Sequence, residues 1–80
     1  MKPYQYFFIK REVEQLLNAY SSVNDPKTVQ TVQALAAEKI RDVLGYEPPE
    51  IDTFLTTVLD VKLTKTQAER ALEELKQIVQ

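Results

Sequence analysis

Cysteine, histidine and tryptophan are missing from these 80 residues, and glycine occurs once. Without cysteine no disulfide can staple the chain, and without cysteine or histidine the usual zinc sites cannot be built. The missing histidine also removes the common base of nucleophilic catalysis, so Ser21 and Ser22 lack their usual activator. A single glycine excludes the familiar glycine-rich loops that cradle phosphates. No apolar run is long enough to span a bilayer. The start does not read as a signal peptide either, because its apolar part is short, broken by Gln5, and followed at once by Lys10, Arg11 and Glu12. The expectation is a cytoplasmic, non-catalytic protein with no cofactor and no metal.

What is present describes one globular domain over residues 1–80: 44% of the residues are hydrophobic and 28% are charged. A chain this short buries a smaller share of its surface than a large domain does, so association with a second copy of itself would help it. The net charge of −2 is unevenly spread. Residues 1–45 carry a balance of +1 and residues 46–80 a balance of −3. That argues against nucleic acid as a partner, because neutralising phosphates supplies most of the non-specific affinity of nucleic-acid binders.

The best-marked helix runs from the Asp25 cap to Gly45, and the sequence reads it as the central helix of an all-α fold. Asp25 can accept a bond from a free backbone N–H, Pro26 has a φ suited to the first helical turn, and Gly45 can adopt the left-handed conformation past the end. Val29, Val32, Ala36, Ile40 and Val43 recur at helical steps, and Leu35 and Leu44 widen that face. Lys27, Gln30, Ala34, Glu38 and Arg41 fall on the wet side. Upstream, Ile9, Val13, Leu16 and Tyr20, with Leu17 beside them, predict a helix from about Pro3 to Tyr20.

Pro48 and Pro49 form the one strong breaker, since the residue before a proline avoids the α region. A third helix is expected from Pro49 to Asp60 with Ile51, Phe54, Leu55 and Val58 inward. Thr64 and Gln67 have the form of a capping box, and Leu63 can staple onto Ala68. The last helix, Lys65 to Val79, turns Ala68, Ala71, Leu72, Leu75, Ile78 and Val79 inward. Three to four short amphipathic helices with short links imply a compact bundle or an orthogonal array.

The candidate partner-binding residues are Tyr4, Tyr6, Phe7 and Phe8, four of the seven aromatics within five positions. Aromatics this dense either cap the core or cover a partner, and both readings stay open on sequence alone. Glu47, Glu50 and Asp52 match no calcium loop and read as a solvated rim. Glu69 and Glu73 are four apart, but a di-metal carboxylate bundle would also need histidine.

Leu63 to Leu72, reading Leu-Thr-Lys-Thr-Gln-Ala-Glu-Arg-Ala-Leu after a short helix, resembles the N-terminal helical hairpin of the HU family of DNA-binding proteins. The resemblance covers about a third of the chain and implies a helical hairpin over residues 51–79, with a DNA-binding regulator as an alternative function. HU proteins follow that hairpin with a β-sheet and basic arms, which this sequence does not show. The expected antiparallel arrangement, with Asn24-Asp25-Pro26-Lys27 entering the second helix, is also similar to the class IIa bacteriocin immunity proteins. That similarity implies a cytoplasmic four-helix protein acting through a protein partner. The leading expectation is a small helical adaptor or regulator that works by protein–protein contact.

Overall fold

The computed structural model describes residues 2–45 and 49–78 and, within them, leaves aside the side chains of Glu50 and Ile78. Four helices follow in order: α1 (Pro3–Ser22), α2 (Pro26–Leu44), α3 (Pro49–Val58) and α4 (Lys65–Ile78). The expected all-α bundle is therefore present. The connector residues 46–48 and the inward position assigned to Val79 lie outside the described residues.

Each marked boundary is built as its chemistry dictates. The Asp25 carboxylate accepts from the Lys27 N–H at 3.2 Å and from the Thr28 hydroxyl at 2.8 Å, which satisfies donors the helix cannot. Gly45 ends α2 at φ 72° while its N–H returns to the Arg41 carbonyl. Thr64 and Gln67 exchange reciprocal bonds of 3.1 and 3.2 Å at the start of α4. Between α3 and α4 the turn is closed by Asp60, whose carbonyl accepts from Leu63 and whose carboxylate accepts from Lys62.

Pairings between helices give their sense. Gln5 meets Val43, Glu12 meets Lys39 and Tyr20 meets Gln33, so α1 and α2 run antiparallel. Tyr6 lies under Lys76, whereas Ser21 shares a depression with Leu63 and Thr64, so α4 also runs antiparallel to α1. α1 packs along both α2 and α4, and α4 packs along α3. The middle position thus belongs to α1 rather than to α2.

The two helices bury different kinds of face. α2 buries Ala36, Ala37, Ile40 and Leu44, while Leu35, expected inward, is 50% exposed. α1 buries Ile9, Val13 and Leu16 and adds the larger Tyr6, Leu17 and Tyr20 at the flanks, whereas α2 adds Val32 and Val43. Every residue assigned inward on α3 is buried, as are Ala68, Ala71, Leu72 and Leu75 of α4. Fully burying an Ile or Leu such as Ile9, Leu16, Ile40 or Leu75 contributes about 2 kcal/mol relative to leaving it in water. These side chains form one core cluster drawn from all four helices.

Candidate protein-binding surface

Tyr4, Phe7, Phe8 and Arg11 stand at i, i+3, i+4 and i+7, so the helical period places them on one stripe of α1. At 3.6 residues per turn that stripe lies roughly 160° around the axis from Ile9, Val13, Leu16 and Tyr20. The two sets cannot face the same core. Tyr4 is 63% exposed and Phe7 64%, and Phe8 is partly covered at 37%. Tyr6 is the exception among the four candidate residues, because it is half-buried and packs against the core cluster.

Phe7, Phe8, Tyr4 and Arg11 meet Val43 from the end of α2 around a shallow depression of about 450 Å³. Its walls are held from below. Gln5 donates its amide N–H to the Val43 carbonyl at 2.8 Å and accepts from the Lys2 N–H at 2.8 Å, fixing the start of α1 to the end of α2. Tyr6 meets Phe7 edge-on with ring centroids 6.0 Å apart, and the Lys76 ammonium lies 5.2 Å from the Tyr6 ring. The stripe thus sits where three helices are tied together. Such a surface offers aromatic area on a rigid helix with a guanidinium beside it, which is chemistry suited to association.

A second depression, about 630 Å³, follows the seam between α1 and α4. Its floor is Val13, Leu17, Ala68 and Leu72, and charges of both signs, including Lys10, Glu14, Lys65 and Glu69, stand at its edge. On the outer face of α4, Glu69, Glu73 and Glu74 are all exposed. Those carboxylates oppose the alternative in which α3 and α4 approach DNA, because they would meet phosphate with like charge. Asp52 is exposed, and the other two members of the acidic rim, Glu47 and the Glu50 side chain, lie outside the described residues. No group of three or more metal-ligating side chains comes together among the described residues.

Polar contacts that the sequence pattern passed over do structural work here. The Tyr20 hydroxyl donates to the Val58 carbonyl at 2.9 Å, and the Gln33 amide donates to the Leu59 carbonyl at 2.7 Å and to the Tyr20 oxygen at 3.2 Å. Together with Gln5, these side chains satisfy carbonyls at the C-terminal ends of α2 and α3 that have no intrahelical donor. Burial pushes the Tyr20 hydroxyl above its ordinary pKa; the Gln33 hydrogen bond works against that rise, and the Asp60 charge adds to it. Glu12 is buried at 7% exposure with its carboxylate 3.8 Å from the Lys39 ammonium, a loose pair that bridges α1 and α2. A period-based reading has no means to find these partners, since each lies on another helix.

No helix among the described residues is long and apolar enough to cross a membrane. A protein-family model described as elongation factor G-binding protein, N-terminal, matches residues 1–80. No curated protein matches the chain.

Proposed function

The chain belongs to the elongation factor G-binding protein N-terminal family, and from that premise we propose that it binds elongation factor G through the aromatic end of α1. The observation that carries this reading is the exposure of Tyr4, Phe7 and Phe8 on a stripe that turns away from the core. Large aromatics held in water by a rigid helix are the side chains that most often dominate binding energy once a partner covers them. Tyr6 joins the surface as a support, with its ring between Phe7 and Lys76. The protein acts as a regulator or adaptor by contact, and a translation factor as partner implies the cytoplasm.

Calorimetric titration of purified elongation factor G into the chain tests this. The expected result is saturable binding that a Phe7→Ser, Phe8→Ser variant loses, with its helical content retained. Unchanged affinity in that folded variant would reject the aromatic end as the contact surface. A second copy of the chain is the competing occupant of the same stripe. If sedimentation shows a dimer that the double variant dissolves, and elongation factor G does not bind, the surface serves self-association instead.

A further inference from the structure

The aromatic stripe is set among cations. Arg11 is its fourth member and lines the depression with Tyr4, Phe7 and Phe8. Lys76 reaches across from α4 to the Tyr6 ring, while Lys10 stands with Glu14 along the α1–α4 seam. No acidic residue precedes Glu12 in the chain, and the Glu12 carboxylate is turned inward toward Lys39. The first exposed acid of α1, Glu14, stands along the seam with α4. On α2 the exposed Asp42 stands next to Val43 and is the nearest acid in sequence to that wall. Among the described residues no carboxylate lies within ion-pair distance of Lys10, Arg11 or Lys76. The Arg11 guanidinium beside the aromatics therefore remains available to a partner.

Resting on the reading that elongation factor G is the partner, we propose that the α1 end docks on an apolar recess of that protein rimmed by carboxylates. Phe7 and Phe8 fill the recess, and Arg11 pairs with the rim. The division of labour follows from the physics of interfaces. Apolar anchors gain from leaving water wherever they are covered, whereas rim charges steer the approach and reject wrongly charged partners. Arg11 suits the role because its planar guanidinium can hold a carboxylate with two parallel hydrogen bonds. The outer face of α4, with Glu69, Glu73 and Glu74, would be repelled by the same rim, so charge also sets the orientation.

The test is the binding of elongation factor G at low and high salt, by stopped-flow and calorimetry, to the wild type and to Arg11→Glu, Arg11→Gln and Phe7→Ser, Phe8→Ser variants of matched thermal stability. Arg11→Glu should weaken binding by roughly tenfold, chiefly through slower association. Added salt should weaken the wild type, and weaken Arg11→Gln less, since screening acts on the same pair. Salt-independent binding with Arg11→Glu unchanged, while the Phe variant still loses affinity, overturns the acidic rim and leaves the partner in place. Absence of any binding overturns both, as does binding to vesicles of anionic lipid in place of elongation factor G.

Discussion

The inner faces of α1 and α4 are alike and their outer faces are opposites. Inside, Ile9, Val13 and Leu16 on one helix and Ala68, Leu72 and Leu75 on the other are buried in a common core. Outside, α1 shows Tyr4, Phe7, Phe8 and Arg11, whereas α4 shows Lys65, Glu69, Arg70, Glu73 and Glu74. Core formation accounts for the first pair of faces and for the outside of α4, which is an ordinary solvated surface. It does not account for the outside of α1. Tyr4 and Phe7, 63% and 64% exposed, bring little burial to folding, and exposed aromatics grouped in this way are characteristic of association surfaces.

The comparison can be broken most severely from the inside. Leu16→Ala and Leu75→Ala should each cost about 3 kcal/mol, through lost burial plus an unfilled cavity. For a chain whose total stability is expected near the low end of about 5–15 kcal/mol, either change should lower the thermal midpoint by roughly 15 °C or more. Urea unfolding measures both, and a silent Leu16→Ala would mean that α1 does not hold the centre. Phe7→Ser should instead change stability by less than about 1 kcal/mol while costing about 2 kcal/mol or more in binding, as hot-spot aromatics do. Loss of both together would show Phe7 working as core.

Smaller effects sharpen the same contrast. Tyr20→Phe removes the bonds to Val58 and Gln33 and should cost about 1 kcal/mol. Its pH dependence has a definite sign. A hydroxyl whose folded pKa is raised contributes stability that is whole below the unfolded value of 10.0 and is lost as pH rises from there through the folded value. Wild-type stability should therefore fall in that alkaline window, and Tyr20→Phe should flatten the fall. Gly45→Ala should cost about 1 kcal/mol, because an added Cβ meets nothing within 4 Å and only the left-handed φ resists it. Smallest of all, Glu73→Lys on the outer face of α4 should shift stability by no more than about 0.5 kcal/mol and leave binding of elongation factor G intact.

Much of this architecture was legible because its causes lie within a turn or two of chain. The Asp25 and Thr64 caps, the Gly45 stop and the inward faces of α3 and α4 depend on near neighbours and a fixed period. α3 ends at Val58 rather than Asp60 because Asp60 is taken by the turn that closes onto Lys62 and Leu63. α1 continues to Ser22, two residues past the expected Tyr20, where the hydroxyls of Ser21 and Ser22 donate back to the carbonyls of Leu17 and Asn18. Arg70 and Glu74, four apart on α4 and able to pair only weakly, form no ion pair among the described residues, as befits exposed groups that gain little from each other. The aromatic cluster was visible as a cluster, but only the structure shows that Tyr4 and Phe7 stand exposed while Tyr6 packs against the core.

By itself the sequence determined an all-α chain of three to four amphipathic helices, where each begins and where α2 ends, since capping, proline geometry and helical periodicity are local. Tertiary structure alone decided that α1 lies between α2 and α4, that Leu35 faces water while Glu12 does not, and that Gln5, Tyr20 and Gln33 serve carbonyls of other helices. Those outcomes depend on which faces meet across tens of residues, and a period of 3.6 says which residues share a face without saying what the face will meet.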